Sequence, residues 1–391
     1  MEQKKGINLK IALLSTCFVT ASINAITANI PEMTKSFPDV PLYVIELLTT
    51  VPSLFQMLGV LCGGLIAKRF GYKGTLLLGL FCCGVGGVIP VFFPRFGVIL
   101  VTRCVYGIGC GFTTSMLLTL LIHFFDGSAR STMIGLNGGI SGLGSALTAF
   151  AAGQLLSFGW NVSFAVYLVA VPAIVLFAVI VPDVRSMAGV PKEKAATGRR
   201  GGFAGLARLG LLMFLSVLLA TMYVIKASTL ITDSGFGTAR EGSYAITAIS
   251  LGSFSAGLTY GPLRAKLGKY SLALFYAVCL AGFLLGGLAR GLVLVLAGAF
   301  ALGYGYLGFV PFIQEQVSRD FAAYGETATN LILILQSLGA FAAPYLGNLF
   351  RLISEGLRTQ IFLCAGCCAL LAVFAALMQE NGKAAVPTRA E

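Results

Sequence analysis

Apolar runs of about twenty residues, the length a helix needs to cross a hydrocarbon core of roughly 30 Å, recur along almost all of this 391-residue chain. We read twelve spans, at 9–30, 42–67, 74–94, 97–122, 130–157, 161–182, 206–232, 241–263, 270–289, 291–314, 326–350 and 358–378. Only helices and closed barrels satisfy their own backbone in lipid, and runs of this length fit helices. The expected fold class is an all-α polytopic membrane protein. Composition agrees, because 57% of the residues are apolar and 11% charged, outside the range of soluble globular domains. The first span follows Lys4, Lys5 and Lys10 as a signal peptide would, but it lacks a small-residue cleavage site and holds Asn24, Thr27 and Asn29. It is read as an uncleaved helix.

The net charge of +12 does not gather on one face, which argues against a nucleic-acid partner. Its sidedness is the informative part. With the N-terminus inside, the even-numbered connections and both termini hold nineteen Lys and Arg. The odd-numbered connections hold six (Lys35, Arg95, Arg240, Arg290, Arg351 and Arg358), and Arg103 and Lys226 fall within spans. That bias predicts a multi-pass protein of the cell membrane, inner or plasma, with cytoplasmic N- and C-termini. All ten cysteines lie within spans, where cysteine behaves as a small hydrophobe. No metal site, disulfide or cofactor is expected.

A polar, basic stretch, 183–205, separates a first six-helix half (1–182) from a second (206–391). The halves echo each other. "GLIAKRFGYKG" from Gly64 returns as "GPLRAKLGKYS" from Gly261, 197 positions later, and Gly107 and Gly109 of the fourth span answer Gly303 and Gly305 of the tenth. Twelve spans, this duplicated loop and the fourth-span arginine together resemble the major facilitator superfamily over the whole chain. The resemblance implies two pseudo-symmetric six-helix halves that rock about a central site, with spans 1, 2, 4, 5, 7, 8, 10 and 11 around the cavity and spans 3, 6, 9 and 12 toward lipid. The family loop pattern is matched by Gly64, Arg69, Gly71 and Lys73, but Lys68 stands where the family usually has Asp and Tyr72 where it has Arg. Gly261, Lys266 and Gly268 repeat the loop in the second half. These residues form the expected gate, with Glu326 at the start of the eleventh span expected near Lys68 when the far mouth is open. "GIGCG" at 107–111 resembles a phosphate loop only superficially, since no strand precedes it.

Charges inside spans are costly unless they face a cavity or a partner. Arg103 shares a helical face with Tyr106, Gly107, Cys110 and Thr114; Lys226 shares one with Tyr223, Thr229 and Asp233. Arginine can instead satisfy carbonyls of a neighbouring helix, and lysine can snorkel toward water or Asp233. Glu46 reads as peripheral, so the deep interior holds two cations and no carboxylate. That predicts a small-molecule anion, such as a carboxylate, bridging Arg103 and Lys226, as in the anion exchangers of the resembling family. Asn24, Gln56, Tyr106, Asn137, Tyr223 and Tyr304 complete the expected substrate-binding set. The expected function is therefore secondary transport of a small anion by alternating access, by exchange or with protons as coupling ion, in a monomer embedded in the lipid bilayer. The alternatives are a proton-coupled multidrug efflux antiporter and a receptor or sensor that keeps the fold without moving solute. An enzyme is not expected, because the single His123 stands at a span end with no nucleophile constellation.

Overall fold

The computed structural model describes residues 2–125, 127–183, 203–268, 270–321 and 326–384. In the first half its helices are α1 (Glu2–Ala21), a short α2 (Ile30–Ser36), α3 (Leu42–Phe92), α4 (Phe96–Phe124), α5 (Gly127–Leu155) and α6 (Ala170–Ile180). In the second they are α7 (Phe203–Asp233), α8 (Ala239–Leu267), α9 (Tyr270–Gly287), α10 (Leu292–Asp320), α11 (Glu326–Ile353) and α12 (Leu357–Ala384).

Among the described residues ten helical stretches are long and apolar enough to cross a membrane, and two particular helices account for the rest. At 51 residues, α3 would be about 76 Å long if straight, far more than one crossing. It is broken at Gly71, where φ is 75° and ψ 167°, a backbone conformation open chiefly to glycine, so it supplies both the second and third spans. The helix α8 is 29 residues long, but its serines, threonines and charged ends hold down its hydropathy. The first span is broken as well: past α1 the chain runs through tight 3-10 turns at Ser22–Asn24 and Thr27–Asn29 before α2. Of the expected linker 183–205, α7 already includes Phe203 onward, and residues 184–202 lie outside the described residues.

An even number of crossings puts both chain ends on one side, here called the terminal face; the opposite side is the far face. The sequence echoes correspond to repeated contacts. A Cβ at Gly107 would strike the Pro52 carbonyl of α3, and one at Gly303 would strike the Ile249 carbonyl of α8. On the other side of the same helices, a Cβ at Gly109 would stand 2.5 Å from the Gly79 carbonyl oxygen and one at Gly305 2.6 Å from that of Phe275 in α9. Each fourth-position helix is thus wedged between the second and third spans of its half at backbone distance, the packing that small residues permit in lipid. Gly268, with φ 52°, turns the chain after α8 as Gly71 does within α3, at the separation of the repeated loop. One apolar core is built from residues between Ala12 and Val181. The other comes from Leu206 to Ala375, joined by Ile30 and Ala149.

The halves meet where α5 packs on α8 and the first part of α3 on α11. The described bonds between them all lie from mid-depth to the far face. Ser145 and Ser250 hydroxyls are 3.0 Å apart, Ser228 Oγ donates to the Ala28 carbonyl at 3.1 Å, and Arg240 donates to Gln154. Phe150 stacks on Tyr244 with ring centroids 5.9 Å apart. Among the described residues no such bond lies toward the terminal face.

The tight glycine contacts give a first expectation. Gly303→Ala should lower stability by about 2 kcal/mol, the middle of the overpacking range, whereas Gly261→Ala, where a Cβ meets open space, should change it by less than about 0.5 kcal/mol. Thermal unfolding of the detergent-solubilised variants measures both.

Candidate functional site

Between the halves lies a cavity of about 260 Å³ at mid-depth. The first half contributes Asn24 and Thr27 from the broken first span, Thr49, Thr50, Ser53 and Gln56 from α3, and Ser145 from α5. The second half contributes Thr221 from α7, Ser250 and Ser253 from α8, Tyr306 from α10, and Gln336 and Ser337 from α11. Among the described residues that line it, none carries a charged side chain. Toward the terminal face the space continues between Met57, Leu61 and Thr114 on one side and Asn330 and Leu333 on the other. Among the described residues the walls come from spans 1, 2, 4, 5, 7, 8, 10 and 11.

Arg103 does not reach this cavity. It is fully buried and each end of its guanidinium is engaged within the first half. Nε donates to the Leu48 carbonyl at 3.1 Å, Nη1 to the Tyr167 hydroxyl at 2.8 Å, and Nη2 to the Ile23 carbonyl at 2.8 Å. The reason lies in the backbone. Pro52 has no N–H to give to the carbonyl four residues back, which is Leu48, and the break after Ala21 frees Ile23. The arginine fills both positions, stacked over the Tyr106 ring at 4.8 Å. Tyr106 serves the same break, donating to the Val19 carbonyl at 2.7 Å beside the Ser22 hydroxyl.

Lys226 has a partner that the sequence reading set aside. Its Nζ lies 2.5 Å from Glu46 Oε1, with both side chains buried. Glu46, expected to be peripheral, is fully buried, and the expected pair of uncompensated cations is replaced by an ion pair across the halves. Two features explain the miss. The lysine stem covers the distance that separates the two positions along their spans, and Gly347 of α11 leaves room for it: a Cβ there would be 3.2 Å from Lys226 Cε. Glu46 Oε2 has no hydrogen-bond partner among the described residues.

Of the other residues expected to bind substrate, Asn24 and Gln56 line the cavity. Asn137 accepts from Cys17 Sγ at 2.8 Å. Tyr223 turns away into its own half, where it packs edge-on against Phe283 of α9 at 5.7 Å. Tyr304 bonds the Thr259 hydroxyl at 2.7 Å, while Tyr306, two residues on and nearly opposite on the helix, faces the cavity. Ser145, Ser253 and Gln336 were missed although each had a signal. Ser145 sits one turn from Ser141 and Thr148, Ser253 follows Ser250, and Gln336 interrupts the apolar run "LILIL". Thr50 and Thr221 gave none.

Of the expected gate, Gly64 and Gly261 face open space. Lys68, Arg69, Gly71 and Lys73 surround a separate pocket on the terminal face, and Lys266 is exposed at the end of α8. Glu326 opens α11, but its side chain, and so its expected proximity to Lys68, lies outside the described residues.

The family described as Major Facilitator Superfamily matches residues 12–344. The multidrug transporter AQR1 of Candida glabrata is 28% identical over 39% of this chain and 26% of its own length. The methylenomycin A resistance protein of Bacillus subtilis is 27% identical over 54% of this chain and 44% of its own. The chain therefore matches less than half the length of either relative. A bacterial homologue of the human lysosomal transporter Spinster, solved in an inward-facing and unoccupied conformation, superposes with a TM-score of 0.72 at 16% identity over 99% of both chains. That likeness is one of fold.

The ion pair carries the second expectation. Lys226→Met leaves Glu46 alone in the interior and should cost about 3–5 kcal/mol, as breaking a buried pair does. Adding Glu46→Gln should restore at least half of that loss. A double-mutant cycle on thermal unfolding reads the coupling, and strictly additive losses would show that the two side chains do not act as a pair.

Proposed function

Because this chain belongs to the major facilitator superfamily, we propose that it is a secondary transporter that moves an uncharged or weakly polar organic molecule by alternating access, with Glu46 and Lys226 as its coupling pair. The observation that carries this reading is that the described residues of the cavity lining offer hydroxyls and amides and no charged group. A carboxylate substrate would lose its hydration there without gaining a cation, a costly transfer. The expectation of an anion rested on Arg103 and Lys226 as free cations, and both have partners inside the protein. Hydroxyls and amides on the walls, with an apolar approach past Met57, Leu61 and Leu333, suit a molecule with a few polar groups on an apolar frame. The names of the two relatives, a multidrug transporter and an antibiotic resistance protein, fit export of such compounds.

The coupling follows from where the pair sits. It joins α3 to α7 on the closed far side, so it is present in this state and must separate when that side opens. A proton taken up by Glu46 removes the attraction and favours opening. Its release re-forms the pair and favours closure. Substrate and proton then act on one equilibrium through interactions that differ between its two states. The basic bias of the loops puts the termini, and hence the open mouth, on the cytoplasmic side of the cell membrane. One chain supplies both walls, so a monomer suffices.

Reconstituted protein tests this. A pH gradient across proteoliposomes should drive movement of uncharged antibiotics from a panel and leave monocarboxylates behind. Glu46→Gln should cut the gradient-driven rate by about tenfold or more, within the range of site-to-site coupling, while exchange of substrate without a gradient survives. Carboxylate movement that persists in Lys226→Met would sink the reading, and ligand binding without flux would make the protein a receptor.

A further inference from the structure

We propose that the basic pocket on the terminal face, between the middle of α3 and the end of α6, binds the headgroup of an anionic phospholipid. The turn at Gly71 sets Lys68 and Arg69 on one side and Lys73 on the other, around a cavity of about 670 Å³ whose acidic member is Asp183. Lys73 is fixed by donating to the Ala178 carbonyl in the last turn of α6 at 2.7 Å, which leaves its other N–H groups to point elsewhere. Lys68 and Arg69 are exposed, and neither forms an ion pair with a described residue.

The repeated loop in the second half shows what internal compensation looks like. There Arg264 is held by Glu315 of α10 at 3.3 Å and by the Gly268 carbonyl at 2.5 Å, with its guanidinium 4.3 Å from the centre of the Phe312 ring. By the alignment of Gly107 with Gly303, the α4 position that answers Glu315 is Thr119. The first-half loop therefore lacks the acid that its counterpart uses, and Lys68 adds a cation. An external anion fits that imbalance.

Position selects the anion. The loop joins two crossings, so it sits at headgroup depth, and beside it Phe70 and Leu65 are 56% and 66% exposed. Arg69 lies 5.8 Å from the Phe70 ring centre. Basic groups flanked by outward apolar side chains match a phosphodiester with acyl chains attached, the arrangement that draws anionic lipids to basic juxtamembrane residues. A free phosphate shares the charge but leaves Phe70 and Leu65 without a role.

The test uses the full chain in detergent, with thermal unfolding followed as dioleoyl phosphatidylglycerol, dioleoyl phosphatidylcholine or inorganic phosphate is added, because a ligand of the native state raises its apparent stability. Phosphatidylglycerol should stabilise the protein and the other two should not. In Lys68→Gln/Arg69→Gln the half-maximal phosphatidylglycerol concentration should rise by about tenfold or more, in line with the worth of two basic groups near an anionic surface. Lys68→Gln alone should give a smaller rise, and Lys266→Gln, on the second loop, should behave as the parent. An unchanged response in both the double and the single variant, equal stabilisation by phosphatidylcholine, or the same effect from inorganic phosphate would each overturn the proposal.

Discussion

Within the hydrocarbon layer every backbone N–H and C=O needs a partner supplied by the protein, and one cluster in the core of the first half is built around two of the places where helical bonding is interrupted. Pro52 withholds a donor from Leu48, and the first span breaks at Ser22. One side chain, Arg103, reaches both freed carbonyls, and Tyr167 accepts its remaining nitrogen. A charged donor contributes about 1.5–3 kcal/mol per such bond, and three bonds together offset much of the cost of keeping a guanidinium out of water. The deep arginine is thus a consequence of broken helices. The break in turn has a product, because an irregular segment can present Asn24 and Thr27 to a cavity that a straight helix would cover.

Lys226 and Glu46 follow a different logic. Arg103 works inside one half and keeps its partners however the halves move relative to each other. The Lys226–Glu46 pair spans both halves, so its geometry depends on that movement. A buried pair contributes little net stability against apolar replacements of equal volume. What it would provide in the proposed cycle is sensitivity: formed in the arrangement seen here, it would be lost in the other. The neighbouring contacts on the far side, Tyr43 near Tyr345 and Phe150 on Tyr244, are apolar and carry no such dependence on protonation.

The sequence made the twelve-span plan legible because span length is set by the bilayer and the glycine echoes mark backbone contacts. Gly107 with Gly303, and Gly71 with Gly268, occupy corresponding places in both halves. The walls of the cavity were legible in part, since Asn24 and Gln56 of the expected set line it. Charge partners were not legible. Position along a span says how deep a Cα lies, while a lysine stem shifts its charge by several ångströms, so Glu46 and Lys226 read as separate. Facing direction within a half was equally hidden, since Tyr223 meets Gly286 of α9 through an approach that only the assembled bundle shows.

These arrangements place charge at the two ends of the bundle and, among the described residues, leave the cavity lining between them neutral. The far end holds a compensated pair, the terminal face holds the basic loop, and the cavity between them offers hydroxyls and amides. A neutral middle keeps the cavity's electrostatics similar whether the far or the terminal side is open, so a substrate without charge has little reason of its own to favour either state. The bias must then come from elsewhere, and a ligand shifts a two-state equilibrium only by its difference in affinity for the two states. Under the proposed mechanism Glu46 meets that requirement, since its charge is matched by Lys226 in the arrangement seen here and would be unmatched once the far side opened. In the proposed cycle, separating substrate from bias in this way would let one cavity accept varied uncharged molecules while a single carboxylate set the direction.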